Sequence, residues 1–329
     1  MPKPLIAVFR GGFSGESVIS HQSADQMMAA LDSDRFDAVF ISIDTEGWKC
    51  SRASGEAISL DRSDLLIGTG TSKRKATAAL IAIHGSPGED GKLQGYLDLL
   101  GIPYQTGDVL NMSLTFSKSA TIAMLKQQGF PVAPSLLLHR HSTVDIDRLI
   151  GMGLPLFVKP DRSGSSLGVT KVKRTDELEK AIEDAFTECD QVLVETAVTG
   201  RELTCGVLSI NGEVKALPIC EIRTSREFFD YEAKYHATDT EEIVPAPLPD
   251  PITAVVQDRS VAIYKAFNCK GMVRVDHFWT GGNRPTDVIT IELNTVPGFS
   301  KASIFPKMIR AAGMSVEEVV NGLVAGMVD

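Results

Sequence analysis

The sequence predicts a protein of mixed α/β and α+β architecture, and three observations lead to that fold class. The chain has 329 residues, which at roughly 100–200 residues per domain corresponds to two domains or three. The N-terminal part alternates short apolar strands with helical segments, as βαβ units with a parallel sheet do. The later part is rich in strands with few helices between them, which favours α+β units.

The first unit is predicted to be a parallel sheet. The elements expected here are a strand over 5–9 (LIAVF), a helix over 17–31 and strands over 37–44 and 78–84. Ligands of parallel sheets bind beyond the carboxyl ends of the strands. Gly11-Gly12 and His84-Gly85 lie at such ends, although a lone His in a glycine-rich motif is more often structural than catalytic.

A glycine- and serine-rich loop in the middle of the chain is predicted to be a hairpin tip. Strands are expected over 154–159 and 169–173, on either side of the loop 161–168 (DRSGSSLG). This order argues against a P-loop and a dinucleotide fingerprint, both of which need a helix next. Lys159 and the loop N–H groups suit a phosphate, but such tips are more often structural. Further helices are expected over 118–128, 176–187, 252–267 and from 315, and further strands over 191–195, 202–210, 213–222, 271–279 and 287–294.

The densest group of chemically active side chains lies on the last two strands. Alternation places Arg274 and Asp276 on one face of the first strand. On the second strand it separates Glu292 and Asn294 from the apolar residues Ile289, Ile291 and Leu293. If the strands pair, the two carboxylates raise each other's pKa unless a cation intervenes, and the oxygen donors suit Mg²⁺. A solvated face with an Arg salt bridge is the alternative, with equal weight.

An aromatic and charged segment over 227–235 (EFFDYEAKY) is poorly explained as a solvent-exposed connector. It is predicted to be an active-site lid, which would bury its aromatic rings on closing, or a packed surface loop. The residues alone give the two alternatives equal weight.

Composition and charge exclude several classes of protein. Hydrophobic residues make up 43% and charged residues 23% of the chain, as in an ordinary globular protein. The net charge of −9 argues against a general nucleic-acid binder, which needs a basic face. The five cysteines are scattered without C-x-x-C spacing, as reduced intracellular thiols are. No stretch has the length of a signal peptide core or of a membrane span, so a cytoplasmic protein without a membrane partner is expected.

Taken together, these motifs resemble those of the D-alanine–D-alanine ligases of the ATP-grasp superfamily. The similarity follows the chain through GGFSGE with Ser20, HGSPGEDGKLQG, GIPY, FVKPDRSGSSLGVTKV, VLVE, FDYEAKY, RVD and IELNTVPGFS. The resemblance implies an ATP-grasp fold in which ATP is gripped between two α+β domains. Its domains would be an N-terminal Rossmann-like domain over 1–115, a central domain over 116–202, and a C-terminal domain over 203–329 with a lid loop over 226–244.

The resemblance also implies an activity. ATP would phosphorylate the carboxylate of one D-alanine, and the amine of a second D-alanine would attack the acyl phosphate to give D-alanyl-D-alanine for peptidoglycan precursor synthesis. The implied cofactors are ATP and two Mg²⁺ ions, with Mn²⁺ able to substitute. A homodimer acting on small molecules is expected, without nucleic acid.

Residue roles follow from the same resemblance. The nucleotide would be held by Lys118, Lys159, Ser166, Glu195 and Glu202, and the metal ions by Asp276, Glu292 and Asn294. Glu16 would face the ammonium group of the first D-alanine, linked by hydrogen bonds to Ser165 and Tyr235. Arg274 and the Gly298 N–H would stabilise the oxyanion, and the other substrate contacts would come from His84, Lys234 and Ser303.

The chain departs from the family pattern near Lys118, and two rival functions stay open. Lys118 follows Phe116-Ser117, where the family usually has Met-Asp, Ile122 stands near the family's second lysine, and Phe13 replaces a small polar residue. One rival is a ligase that uses D-lactate or D-serine as second substrate, against which Lys234-Tyr235 favours the dipeptide. The other is a non-catalytic ATP-binding regulatory protein, which would have lost the metal ligands or the arginine.

Overall fold

The computed structural model describes residues 2–164, 168–224 and 240–328, which fold around three larger β-sheets and one small one. In chain order the helices are α1 (Ser17–Ala30), α2 (Lys92–Leu100), α3 (Val109–Phe116), α4 (Lys118–Gln127), α5 (Ile146–Ile150), α6 (Leu178–Glu188), α7 (Asp250–Ala266), α8 (Ile304–Ala311) and α9 (Val316–Val328). None of the helices in these ranges has the length and apolar character that crossing a membrane requires.

The first sheet is parallel at its centre, as predicted. Its strands are β1 (Leu5–Gly11), β2 (Asp37–Asp44), β3 (Gly47–Ser51), β4 (Ala57–Ile58) and β8 (Ala78–Ile81), in the order β4-β3-β2-β1-β8. The apolar run of β1 is almost wholly buried because both faces of the strand are covered. A small antiparallel sheet is formed by β5 (Leu60–Asp61), β6 (Leu66–Ile67) and β7 (Arg74–Lys75).

The last strand of this sheet is shorter than predicted. The sequence predicts a strand up to His84, but β8 ends at Ile81. The Gln105 side chain accepts from the Ile81 N–H and donates to the Ile81 carbonyl, at 2.9 and 2.8 Å. Gln105 thus satisfies the outer edge of β8, whereas on the other edge the Ala82 N–H donates to the Phe9 carbonyl of β1 at 3.0 Å.

The second sheet is antiparallel and contains the predicted hairpin. It consists of β9 (Ser135–His139), β10 (Leu156–Pro160), β11 (Thr170–Val172) and β12 (Gln191–Thr196), in the order β11-β10-β12-β9. Strands β10 and β11 pair antiparallel across the Gly/Ser loop, which confirms the hairpin. Apolar residues of α6 cover one face of this sheet, so its other face is available for polar side chains.

The third sheet has six strands: β13 (Arg201–Ile210), β14 (Glu213–Ala216), β15 (Cys220–Thr224), β16 (Thr240–Ile243), β17 (Met272–Trp279) and β18 (Val288–Asn294). The single strand predicted over 213–222 is wrong, because β14 and β15 pair with different halves of β13. Pro218, between them, has no N–H to donate to a ladder. The sequence also missed α8, whose Phe305, Met308 and Ile309 are buried.

The C-terminal segment fastens the third sheet to the first. The apolar core shared by these units contains Phe299, Phe305 and Met308 together with Met27 of α1. The buried Phe299 N–H donates to Ser23 Oγ at 2.9 Å. At the end of α1, the Asn321 side-chain amide donates to the Ala30 carbonyl and accepts from the Asp32 N–H, both at 2.9 Å. These contacts bring Ile81 at the end of β8 near Met272 at the start of β17 and near Thr295 and Val296, which follow β18.

Candidate active site

Strands β17 and β18 bring four predicted site residues together. The strands pair antiparallel, with Arg274 opposite Asn294 and Asp276 opposite Glu292, so all four side chains lie on one face. On β13, Glu202 pairs with Phe278 and therefore joins the same face. This face of the third sheet, defined by Glu202, Arg274, Asp276, Glu292 and Asn294, is called the carboxylate face below.

The predicted alternation fails at one point on β18. The register shifts between Asp276 and His277, so Ile291 is an extra residue and Thr290 pairs with His277. Ile289 therefore lies opposite Phe278, on the carboxylate face, and not on the apolar side where alternation places it. His277 is fully buried and bonds Ser260 at 3.0 Å and Thr290 at 3.2 Å, and burial lowers its pKa to about 3. The neutral imidazole thus stabilises the shifted register through hydrogen bonds on the opposite face of the sheet from the carboxylate face.

Arg274 supplies the positive charge that partners a carboxylate on the carboxylate face. Its Nε and Nη2 donate to the two oxygens of Asp276, both at 2.9 Å, and Thr204 Oγ1 also donates to Asp276. The Arg274 and Asp276 side chains are only 16% and 14% exposed. The salt bridge of the alternative interpretation is therefore present, but the face that carries it is not a solvated outer face.

The oxygen donors on this face fit a hard cation such as Mg²⁺. The Asn294 Oδ1 atom is buried and has no hydrogen-bond partner in the described part of the chain, an arrangement that costs free energy unless something binds there. Within the described ranges, no three His, Cys, Asp or Glu side chains are grouped so as to hold a metal ion. Two carboxylates and one amide are what Asp276, Glu292 and Asn294 offer, and Mg²⁺ commonly takes one or two carboxylates plus phosphate oxygens.

The second sheet presents a lysine towards the carboxylate face. The ammonium group of Lys159 on β10 is hydrogen-bonded to the carboxylate of Glu195 on β12, and Glu195 is only 4% exposed. Burial opposes the positive charge, but the carboxylates of Glu195, Glu292 and Glu202 outweigh it and raise the pKa of Lys159. Two of these three carboxylates belong to the third sheet, so the two polar faces lie on opposite sides of one cleft.

Two further residues on this side of the cleft escaped the sequence-based prediction. Phe157 pairs with both Glu195 and Lys171 across the neighbouring strands, which puts all three on the face that carries Lys159. The ammonium groups of Lys159 and Lys171 lie 5.5 and 5.8 Å from the centre of the Phe157 ring. Period-2 alternation along both arms of the hairpin could have identified Phe157 and Lys171.

Lys118 lies at the edge of the cleft, next to the Gly/Ser loop. It is the first residue of α4, and its ammonium group donates to the Ser163 carbonyl at 2.6 Å. Ser165 and Ser166 of the same loop, and Lys234 and Tyr235 of the predicted lid, lie outside the described residues. Most of the predicted lid over 226–244 is likewise outside them, and β16 occupies its last part.

The N-terminal unit supplies acidic and imidazole groups to the same place. Glu16 precedes α1, and a Cβ atom at Gly164 would come within 2.5 Å of its Oε2 atom, so the Gly/Ser loop passes close to this carboxylate. His84 is buried, and its Nε2 atom has no hydrogen-bond partner among the described residues. Burial and the charge of Arg274 lower the pKa of His84, against the opposing effect of Glu16.

Glu89 is a site residue that the sequence-based prediction missed. One of its oxygens accepts from the Gly85 N–H at 2.7 Å. Burial and the negative charge of Glu16 raise the pKa of Glu89 to about 8, although Gly85, Lys118 and Val296 act against the shift. Glu89 belongs to the motif HGSPGEDG, but its nearness to Glu16 depends on the fold and not on the motif.

Replacing Glu89 by Gln should change the pH dependence of stability. The carboxyl group titrates near 4.5 when unfolded and near 8 when folded, so folding takes up a proton between these values and stability falls as pH rises through them. The Gln variant lacks this loss and should gain on the order of 2 kcal/mol over the unsubstituted protein between pH 5 and 8.5. Urea unfolding at both pH values measures the gain. Glu179→Gln, at an exposed position of α6, is the matched control, and a Glu89→Gln effect independent of pH would contradict the assignment.

Gly298 and Ser303 meet at the N-terminus of α8. A Cβ atom at Gly298 would lie 3.0 Å from Ser303 Oγ, and Ser303 Oγ accepts from the Ser300 N–H at 3.0 Å. Ser303 is the residue before the first turn of α8, where unpaired N–H groups favour a carboxylate. The predicted oxyanion and carboxylate contacts are therefore adjacent.

A cleft between two β-sheets, with a buried lysine on one side and carboxylates and an arginine on the other, defines the protein as an ATP-grasp ligase. Residues 5–107 match the family described as D-ala D-ala ligase N-terminus, and residues 124–325 match D-ala D-ala ligase C-terminus. The chain belongs to the D-alanine–D-alanine ligase family.

Individual relatives agree with this membership over the whole chain. A D-alanine–D-alanine ligase of Porphyromonas gingivalis is 41% identical over 322 residues, which cover 97% of this chain and 96% of that protein. The crystal structure of D-alanyl-alanine synthetase A from Vibrio cholerae superposes with a TM-score of 0.88 at 28% identity, covering 100% of this chain and 99% of that one. VanG D-Ala:D-Ser ligase from Enterococcus faecalis has a TM-score of 0.87 at 31% identity, with coverages of 99% and 100%.

Proposed function

We propose that the chain joins two molecules of D-alanine into D-alanyl-D-alanine at the expense of ATP. The observation that carries this proposal is the cleft between the second and third sheets, in which Lys159 lies opposite the carboxylate face. The N-terminal unit contributes Glu16 and Glu89 next to this cleft. ATP would transfer its terminal phosphoryl group to the carboxylate of the first D-alanine. The amine of the second D-alanine would then attack the acyl phosphate and displace inorganic phosphate.

The nucleotide would lie between the second and third sheets. Lys159 and Lys118 supply positive charge for phosphate oxygens, and Glu195 and Glu202 supply acceptors for the adenine and ribose groups. Ser166 would add a hydroxyl donor from the Gly/Ser loop. Asp276, Glu292 and Asn294 would hold two Mg²⁺ ions, or Mn²⁺ in their place, and these ions neutralise phosphate charge when bound.

The two amino-acid substrates would lie between the N-terminal unit and α8. Glu16 attracts the ammonium group of the first D-alanine, and Ser165 and Tyr235 would hold Glu16 in place. Arg274 and the Gly298 N–H donate to the oxygen that becomes negatively charged during attack. Ser303 at the start of α8 binds the carboxylate of the second substrate, with His84 and Lys234 completing the pocket.

Release of ADP that depends on D-alanine tests the proposal. The purified protein, incubated with ATP, Mg²⁺ and D-alanine, should release ADP and phosphate in equal amounts and form the dipeptide. Omission of D-alanine should abolish the release. Nucleotide binding without any D-alanine-dependent turnover would instead support the non-catalytic alternative, against which the structure retains Arg274 and the three proposed metal ligands on one face.

D-serine is the second candidate for the second substrate, because one solved structure similar to this chain is titled a D-Ala:D-Ser ligase. Competition between D-alanine and D-serine, and in a separate assay between D-alanine and D-lactate, would distinguish the candidates. We expect D-alanyl-D-alanine as the main product. A predominance of the D-serine or D-lactate product at equal concentrations would reverse the assignment.

The cellular setting follows from the proposed product. The dipeptide would enter peptidoglycan precursors in the cytoplasm, where ATP is available. A homodimer is consistent with the exposure of Leu99 on α2 (89%) and Leu110 on α3 (73%), two large apolar side chains on neighbouring helices. Sedimentation velocity should give twice the chain mass of 35.5 kDa.

A further inference from the structure

Asp161 is a fully buried carboxylate where β10, α4 and β12 meet, next to the proposed nucleotide cleft. It is 0% exposed and directly follows β10, two residues after Lys159. Its Oδ2 atom accepts from Ser117 Oγ and its Oδ1 atom from the Ser119 N–H, both at 2.7 Å. A buried carboxylate is costly unless hydrogen bonds satisfy its oxygens, so these contacts hold the two chain segments in one arrangement.

The main chain of Asp161 makes the same connection. The Lys118 N–H donates to the Asp161 carbonyl at 3.1 Å, and the Asp161 N–H donates at 2.9 Å to the carbonyl of Gln191, the first residue of β12. The Lys118 ammonium group in turn bonds Ser163, two residues further along the loop. Asp161 therefore sets the position of the first turn of α4, which carries Lys118, relative to the strand that carries Lys159.

The hydroxyl that binds Asp161 belongs to Ser117, the N-cap residue of α4. Its Oγ atom accepts from the Ala120 N–H at 3.3 Å and donates to the Asp161 carboxylate. A carboxylate at that position would cap the helix from its own N-terminus. In this chain the carboxylate comes from residue 161, across the junction, and Ser117 supplies the hydroxyl that it binds.

We propose that Asp161 is a positioning residue for ATP, and that Ser117 and Asp161 act together as one cap of α4 in which the Gly/Ser loop supplies the carboxylate. Asp161 acts through Lys118 and Lys159 and does not touch the nucleotide. The proposal rests on the proposed function, because it assumes that these two lysines bind the phosphates of ATP. It adds that their spacing depends on a buried carboxylate shared between α4 and the loop.

Reciprocal substitution tests this proposal. Asp161→Ser removes the carboxylate, and Ser117→Asp places two carboxylates side by side, so each single variant should weaken ATP binding tenfold or more, the order expected for lost hydrogen bonds to a charged group. The double variant Ser117→Asp/Asp161→Ser has one carboxylate again, and its affinity should return to within about threefold of the unsubstituted protein, a non-additivity expected of residues in contact. The KM for D-alanine should change less than about twofold in the double variant.

Binding of a non-hydrolysable ATP analogue, measured by calorimetry, is the primary readout because it does not require turnover. Asp145→Ser is the matched control, since Asp145 also caps a helix of this region, α5, by accepting from the Arg148 N–H at 3.0 Å. It should lower stability without changing analogue affinity. If Asp161→Ser does not fold, Ser117→Ala removes one contact of the carboxylate and should weaken analogue binding in the same direction.

Two results would overturn the positioning role. One is unchanged analogue affinity in a folded Asp161→Ser or Ser117→Ala variant, and the other is a double variant that binds no better than the weaker single one. Failure of the proposed function is distinguishable from both, because it would show as an unsubstituted protein that binds the analogue but makes no dipeptide.

Discussion

Replacing Glu292 by Gln should abolish dipeptide synthesis while leaving the fold intact. Glu292 lies directly opposite Asp276 on the carboxylate face, and a neutral amide would be a much weaker ligand than a carboxylate for the Mg²⁺ ions proposed there. We expect turnover to fall by about three orders of magnitude or more, which corresponds to roughly 4 kcal/mol of transition-state stabilisation. Steady-state ADP release at millimolar Mg²⁺ measures the loss.

Glu213→Gln is the matched control for this experiment. Glu213 is an exposed residue at the start of β14 and pairs with Ile210 at the far end of β13, six residues along the strand from the Thr204 that pairs with Asp276. Its replacement should therefore leave turnover within about twofold, as surface substitutions do. Thermal unfolding should show that both variants fold. Near-normal turnover of Glu292→Gln at millimolar Mg²⁺ would remove Glu292 from the metal site.

Replacing Lys159 by Met should weaken ATP binding strongly, and the structure adds a cost in stability. Met keeps the packing of the lysine stem but removes its charge, so we expect ATP affinity to fall about 100-fold. The same change leaves Glu195 buried without its ion-pair partner, which should cost about 3 kcal/mol of unfolding free energy at neutral pH. Calorimetry with an ATP analogue and urea unfolding measure the two effects separately.

The double variant Lys159→Met/Glu195→Gln separates binding from folding. It removes both charges of the buried pair, so most of the lost stability should return, whereas ATP affinity should stay low. Lys180→Met, at an exposed position of α6, is the control and should alter neither property. If affinity recovers together with stability in the double variant, Lys159 is a structural residue and does not bind phosphate.

Most of the site could be predicted because its residues follow local rules. Arg274 and Asp276 share a face since side chains alternate along any strand, and the pairing of β17 with β18 brings Glu292 and Asn294 beside them. The hairpin around the Gly/Ser loop was predictable because strand, glycine-rich tip and strand are neighbours in the sequence. Assigning roles such as that of Ser303 needed the family motifs in addition.

The residues that were missed or misplaced depend on contacts between distant parts of the chain. Ile289 lies on the carboxylate face because Ile291 is an extra residue in the pairing with β17, which alternation along one strand cannot show. Glu89 joins the site through the docking of the N-terminal unit beside Arg274 and Lys118, and its pKa depends on burial. Asp161 is separated from Ser117 by 44 positions in the chain.

The sequence by itself determined the mixed α/β and α+β class, the hairpin, the family resemblance and the chemical types of the site residues, because these depend on periodicity and on short motifs. The tertiary structure alone decided which distant groups are paired: Lys159 with Glu195 in an ion pair, and Ser117 with Asp161 in a hydrogen bond. It also decided which polar atoms are buried, such as Asn294 Oδ1. Pairing and burial set the free energies of charged groups. Both arise when separate sheets pack against each other, and a local pattern of residues cannot predict that packing.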